Sequence, residues 1–229
     1  MGSETRVAWS VVIPVKVLSR AKSRLAGLAA ADREAVALAM AADTVEAALA
    51  CQAVADVVVV SDDAAIRTEA EALGAEVIAD LPKSGLNEAL SAGAEHAAAH
   101  WPGRGLAGLT ADLPALSATE LEAALTAAAA VTQAFVADAA GSGTTLYTAM
   151  PGAAFVPRFG PQSRMRHRRA GAVELNLAGI PGLRRDVDTL ADLHSAAMIR
   201  LGSRTRSARE LIRPVTARSG CDPAGSQSA

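Results

Sequence analysis

A chain of 229 residues, 51% apolar and with a formal net charge of −2, can bury a sizeable core in one large domain or two small ones. It presents no global field to draw nucleic acid or an anionic membrane surface. Its two cysteines, Cys51 and Cys221, offer neither metal-ligand spacing nor a disulfide framework. The start, MGSETRVAWS, lacks the apolar region of a signal peptide, so a soluble, cytoplasmic protein is expected.

In chain order, VVIPV (11–15) reads as a buried strand and DREAVALAMAADTVEAALA (32–50) as a helix. That helix carries Asp32, Arg33, Glu34, Asp43 and Glu46, which rules it out as a membrane span. VADVVVV (54–60) is a strand, DDAAIRTEAEALG (62–74) a helix, AEVIA (75–79) a strand and LNEALSAGAEHAAAH (86–100) a helix. GLAGLT (105–110) and AFVAD (134–138) are strands on either side of SATELEAALTAAAA (117–130), where Ser117 and Glu120 form a capping box. Such alternation specifies an α/β fold, Rossmann-like in its mainly parallel sheet with helices on both faces. Ligands of these sheets bind at the carboxyl ends of the strands.

Beyond residue 138 a glycine-rich turn leads into a short strand, and RFGPQSRMRHRRAGAVEL is basic and helical toward its end. GLRRDVDT has strand character and LADLHSAAMIRL helical character. Residues 203–229, rich in Ser, Arg, Gly and Pro, read as a disordered tail, which leaves 1–202 as a single domain without internal repeats.

Positive charge comes from nineteen arginines and three lysines, and all three lysines fall in loops after strands. Lys16, Arg20, Lys22 and Arg24 follow the first strand, and Lys83 follows the third. No G-x-G-x-x-G follows the first strand, and the P-loop pattern G-x-x-x-x-G-K-[ST] is absent. A compact ammonium on a flexible stem suits phosphate oxygens that move during reaction, although such a loop can also be a solvated basic face. Asp112 follows the strand 105–110, and Asp186 and Asp188 stand two apart, so that in an extended chain both face one side. A lone strand-end carboxylate is commonly a cap or turn residue. Asp112 with the Asp pair instead supplies hard oxygen ligands of the kind that nucleotide-bound Mg²⁺ requires. Basic loop and acidic clusters together point to metal-assisted phosphoryl or nucleotidyl transfer.

Three other groups are weaker. His96 and His100 lack the intervening Glu and third ligand of a zinc site. The cluster Arg164, Arg166, His167, Arg168 and Arg169 lacks the interleaved aromatics of an RNA surface, so part of it should face an anionic ligand and the rest water. Ser142 in GSG does not form G-x-S-x-G.

Taken together, IPVK…AKSRL, VVSDD, GLNEAL, GLTADLPAL, FVADAAGSGTTLYTA, FG-x-x-S and DVDT-x-x-DL resemble the 2-phospho-L-lactate or phosphoenolpyruvate guanylyltransferases of coenzyme F-420 biosynthesis, over residues 10 to 202. AKSRL and DLP recur among wider nucleotidyltransferases, whereas GTTLYTA followed by FG-x-x-S is narrower. The resemblance implies a single-domain nucleotidyltransferase that moves GMP from GTP to the phosphate of a small phosphorylated acid. It implies Lys16, Lys22 and Arg24 on the leaving phosphates, with Lys83, Gly85 and Asn87 on the nucleotide. Asp112 with Asp186 or Asp188 would carry Mg²⁺, and Thr145, Gly160 and Ser163 would receive the acid. Phosphoenolpyruvate is the expected acceptor and 2-phospho-L-lactate a weaker one. The alternatives are a transferase for a sugar phosphate or a molybdenum cofactor, and a regulatory module that binds nucleotide without catalysis.

Overall fold

The structure is a computed structural model and describes residues 7–20, 25, 27–80 and 85–212. Among these residues the chain forms seven strands and seven α-helices. The strands are β1 Trp9–Pro14, β2 Val54–Val60, β3 Glu76–Ile78, β4 Gly105–Leu109, β5 Gln133–Ala137, β6 Thr144–Ala149 and β7 Val173–Glu174. The helices are α1 Ala30–Leu49, α2 Ala64–Leu73, α3 Leu86–His100, α4 Ala118–Ala128, α5 Ser163–Arg169, α6 Leu190–Ile199 and α7 Ser203–Leu211.

The strands form one sheet in the order β3-β2-β1-β4-β6-β5-β7. All pairs are parallel except those that β6 makes with β4 and β5. The continuous apolar runs of β1 and β2 follow from burial on both faces. Val11, Ile13, Val57 and Val59 point into a layer shared with α1, α2 and α4. Val12, Val58 and Val60 point into the opposite layer with Ala89, Leu90, Ala94 and Ala97 of α3. The small residues of α3 allow close approach: a Cβ at Gly93 would stand 2.3 Å from Val12 Cγ1.

The chain leaves β1 by α1 on one face and enters β4 by α3 on the other, so β1 and β4 flank a topological switch point. A crevice opens at the carboxyl ends of two such strands. The capping box of Ser117 and Glu120 at the start of α4 agrees with the sequence reading. Asp63, which accepts from Ala65 N–H and Ile66 N–H, caps α2.

Three expectations need correction. The basic stretch after Gly160 is helical in its middle, as α5, and ends in the strand β7. Residues 184–188 belong to no strand: Arg184 ends a turn and Asp188 lies in a bend, with Val187 fully buried between Asp186 and Asp188. The supposed tail begins with α7, whose first main-chain N–H groups are gripped by the buried carboxylate of Asp43. Arg204 N–H donates to Asp43 Oδ1 at 3.1 Å and Thr205 N–H to Oδ2 at 2.8 Å. Residues 213–229 lie outside the described ones. No helix among the described residues is long and apolar enough to cross a membrane.

Candidate active site

A cleft of about 780 Å³ opens at the switch point. Its walls are Pro14, Val15 and Lys16 after β1, Thr110 to Asp112 after β4, Asp138 and Ser142 to Thr144 around the β5–β6 turn, Phe159 to Gln162 before α5, and Asp186 and Asp188. Ala37, Met40 and Ala41 of α1 and Leu86 of α3 add an apolar side.

Each wall is held in place by a specific bond. Asp63 caps α2 with one oxygen and accepts Leu18 N–H at 2.9 Å with the other, which pins the segment that carries Lys16. Thr44, inside α1, accepts Leu113 N–H at 3.1 Å, and its Oγ1 lies 3.2 Å from Ala111 O, so α1 brackets Asp112 from both sides. Val187 N–H donates to Asp112 O at 3.1 Å, which lays the Asp186–Asp188 segment beside Asp112. Asp138 closes the glycine-rich turn by accepting Ser142 N–H at 2.9 Å and Gly143 N–H at 2.8 Å.

The electrostatics are those of a crowded acidic centre. Burial, and then the carboxylates of Asp112, Asp138 and Asp188, push the Asp186 carboxyl up to about 7. Asp138 has both oxygens engaged by main-chain N–H groups, which leaves Asp112, Asp186 and Asp188 as the candidates to meet a cation. Among the described residues no three acidic, His or Cys side chains close a metal cage by themselves. The carboxylates of Asp112, Asp186 and Asp188 are hard oxygen donors of the type Mg²⁺ takes, one or two at a time, with waters and substrate phosphate oxygens. Lys16, exposed after β1 in the lining of the same cleft, supplies positive charge.

On the far side, Gly160 at φ 105° and Gln162 at φ 57° form a tight loop over the cleft. A Cβ at Gly160 would meet the Arg166 guanidinium at 3.0 Å, so glycine lets the two approach. Gln162 is the one non-glycine residue with positive φ among the described residues, a strain of about 1 kcal/mol held in the cleft wall. Asn87 anchors this loop. Its Oδ1 accepts Phe159 N–H at 2.7 Å and its Nδ2 donates to Phe159 O at 3.2 Å.

Behind the loop His167 is fully buried. Its ring stacks on Tyr147 at 4.7 Å and Phe135 at 5.5 Å, and meets Phe159 edge-on. Nε2 accepts Arg158 N–H at 2.9 Å and Nδ1 lies 3.0 Å from Thr144 Oγ1. Burial, then the guanidinium groups of Arg166 and Arg158, lower its pKa to about 4.

The chain matches the family described as guanylyl transferase CofC like over residues 9–214. It belongs to this family. Within it, the chain is 53% identical over 202 residues to the phosphoenolpyruvate guanylyltransferase of Thermomonospora curvata, covering 88% of this chain and 89% of that one. The Streptomyces coelicolor protein of the same name is 53% identical over 207 residues, covering 89% and 98%. Solved structures share the fold at low identity. A candidate nucleotide-diphospho-sugar transferase from Desulfovibrio desulfuricans G20 matches with a TM-score of 0.66 at 17% identity, covering 88% of this chain and 94% of that one. A nucleotidyl transferase from Methanothermobacter matches with a TM-score of 0.55 at 17% identity, covering 84% and 97%.

Of the residues singled out in this family member's sequence, Lys16, Asp112, Gly160, Asp186 and Asp188 meet in the cleft. Lys22, Arg24 and Lys83 lie outside the described residues. Gly85 is exposed at the start of α3, and Asn87 holds the 159–162 loop through its side chain. Thr145 and Ser163 are buried just beside the lining residues Thr144 and Gln162, and their hydroxyls have no hydrogen-bond partner among the described residues. The basic cluster is largely committed within the fold. Against burial, which raises it, Arg164 and Arg168 hold the Glu174 carboxyl below its ordinary value, and Arg166 donates to Phe159 O at 2.8 Å.

Sequence reading missed Thr44, Asp63, Asp138, Thr144 and His167. Asp138 had a signal, since an Asp ahead of Gly-Ser-Gly favours a turn closed by its own side chain. Thr44 and His167 had none, because their partners are 69 and 23 residues away.

Proposed function

We propose that this chain transfers GMP from GTP to the phosphate of phosphoenolpyruvate and releases pyrophosphate, in the biosynthesis of coenzyme F-420 in the cytoplasm. The observation that carries the reading is the cleft at the switch point that Asp112, Asp186 and Asp188 line together with Lys16. The acceptor follows the relatives, which share about half of their residues with this chain and are named for phosphoenolpyruvate.

In this reading an oxygen of the acceptor phosphate attacks the α-phosphorus of GTP. The bond from that phosphorus to the bridging oxygen breaks, and pyrophosphate carries away the electron pair. The acceptor is already an ionised nucleophile, so no enzyme group needs to form a covalent intermediate. Catalysis rests on positioning and on charge stabilisation. Asp112, Asp186 and Asp188 would hold Mg²⁺, which offsets phosphate charge when bound. Lys16, with Lys22 and Arg24, takes up the charge that develops on the leaving pyrophosphate. Lys83, Gly85 and Asn87 belong to the nucleotide side. Gly160, with Thr145 and Ser163 beneath the cleft wall, forms the acid side. The bond that Val187 makes to Asp112 keeps the metal carboxylates at one spacing while substrates exchange.

Incubation with Mg²⁺, GTP and a panel of phosphorylated acids, read by pyrophosphate release and product mass, tests this function. Phosphoenolpyruvate should give the guanosine-diphospho product, and GTP should exceed ATP and CTP by orders of magnitude, because unpaired polar groups reject the wrong base. Exclusive formation of the lactyl product would move the acceptor to 2-phospho-L-lactate. Asp112→Asn should lose at least about 100-fold in turnover and lose the Mg²⁺-dependent rise in Tm while the circular dichroism is unchanged. Normal turnover in that variant removes the metal assignment.

A further inference from the structure

We propose that Thr144 is a hydroxyl donor to an anionic oxygen of the acid substrate, held in the donating sense by His167 behind it. The assignment rests on the acceptor being a small phosphorylated acid, as inferred above. It starts from a proton count. Arg158 N–H points at His167 Nε2 at 2.9 Å, and a main-chain amide can only donate, so Nε2 carries a lone pair. A neutral imidazole has one N–H, and it must therefore sit on Nδ1. The enclosure keeps the ring neutral, for His167 is fully buried among Phe135, Tyr147 and Phe159 with Arg158 and Arg166 nearby.

Thr144 Oγ1 lies 3.0 Å from that Nδ1. With hydrogen on Nδ1, Thr144 can accept from the ring but cannot donate to it. Its own hydrogen has no other acceptor among the described residues, and Thr144 is a lining residue of the cleft. The Ser163 main chain also draws on that ring N–H. Whichever acceptor it favours, a protonated Nδ1 cannot take a hydrogen from Thr144, so the hydroxyl hydrogen is left for the cleft. A threonine hydroxyl in water is donor and acceptor alike; here it is a donor.

The position of Thr144 in the cleft decides what it donates to. The phosphate of the acceptor belongs beside Asp112, Asp186 and Asp188, where a divalent cation offsets its charge. The carboxylate needs neutral donors away from those acids. Thr144 stands with Gly160 and Gln162 on the wall in front of His167, and it meets that need without adding a charge. A β-bulge makes the placement. Val136 pairs with Leu146 but Ala137 pairs with Thr144, so Thr145 is the extra residue and Thr144 turns toward His167.

The test compares KM for phosphoenolpyruvate with KM for GTP. Thr144→Val keeps shape and removes the donor. It should raise KM for the acid about 10–100-fold, the loss of one hydrogen bond to a charged group, with KM for GTP unchanged. Thr144→Ser should restore the wild-type value. His167→Phe keeps the ring stack and frees Thr144 to rotate, so it should raise the same KM, and the double variant should be no worse than the poorer single. Equal acid KM in wild type and Thr144→Val overturns the proposal, as does a change confined to GTP. Additive effects in the double variant reduce His167 to a packing residue and overturn the polarity argument. If His167→Phe does not fold, the Val and Ser variants still decide the role of Thr144. Absence of turnover in the wild type, by contrast, removes the acid-substrate reading itself and this proposal with it.

Discussion

From β1 to β6 sheet ladders and layered apolar side chains dominate, whereas around residues 182–205 single polar side chains grip distant main chain. In the first region Leu121 and Leu125 of α4 are fully buried against Val136 and Leu146. In the second, Glu120 accepts Gly182 N–H at 2.8 Å, Arg184 donates to Ala137 O and Asp138 O at 3.1 Å each, and Asp43 accepts the successive N–H groups of Arg204 and Thr205 in the first turn of α7. Packing is non-directional and tolerates exchange of one apolar shape for another of similar volume. A buried hydrogen bond has no such latitude. The cleft lies where the two regimes meet, so its acids and hydroxyls are set by directional bonds on a rigid sheet edge.

The contrast can be broken first in the packed region. Leu121→Ala should destabilise the protein by about 2–5 kcal/mol, while Leu121→Met, which keeps volume, should lose less than about 1.5 kcal/mol. Denaturant midpoints at constant m decide it. A Met variant as unstable as the Ala variant would mean that this region, too, depends on exact geometry.

The second test reverses the logic. Asp43→Asn is nearly isosteric, yet it turns one acceptor into an N–H₂ that faces the N–H of Arg204 or Thr205. It should destabilise by about 1–3 kcal/mol, and hydrogen exchange should rise across Ser203–Leu211 before it rises in the sheet. Gly202 belongs to the same device, since a Cβ there would stand 2.2 Å from the Asp43 carboxyl carbon. An unchanged α7 in Asp43→Asn would assign that helix to apolar packing through Ala208 and Ile212 instead.

These two modes explain what could be read from the residues alone. Residues 9–137 were legible because their periodicity is local: VADVVVV is β2 from first residue to last, and LNEALSAGAEHAAAH is α3 likewise. The Asp186–Asp188 pairing was legible although no strand forms there, because Val187 between them is buried while both acids line the cleft. The antiparallel insertion of β6 between β4 and β5 was not legible, nor was α7. The sequence SRTRSAREL has no apolar stripe, and its anchor is a carboxylate 161 residues earlier. Thr144 escaped notice because a bulge changes which of two neighbouring threonines faces the cleft, and alternation counted from Tyr147 selects the other.

The smallest expected effect separates His167 from the acids. With a folded pKa of about 4 against about 6.5 when unfolded, the unfolded chain takes up the proton first as pH falls. His167 therefore contributes stability that is complete above pH 6.5 and is lost progressively toward pH 4, since stability falls wherever the unfolded state binds more protons. Asp186 acts in the opposite sense. Its folded value of about 7 exceeds that of an exposed carboxyl, so mild acid favours the folded state there. The wild-type profile thus mixes two slopes and cannot by itself isolate either. The difference between wild type and His167→Phe removes the Asp186 contribution, which both proteins share. At pH 7 the variant should be less stable, because Arg158 N–H and Thr144 lose their partner at the ring. Between pH 7 and 5.5 that gap should narrow by roughly 1 kcal/mol, as the wild type alone begins to lose its neutral imidazole. A gap that stays constant over this range would show that the ring is protonated in the folded protein. Its Nε2 could then no longer accept from Arg158.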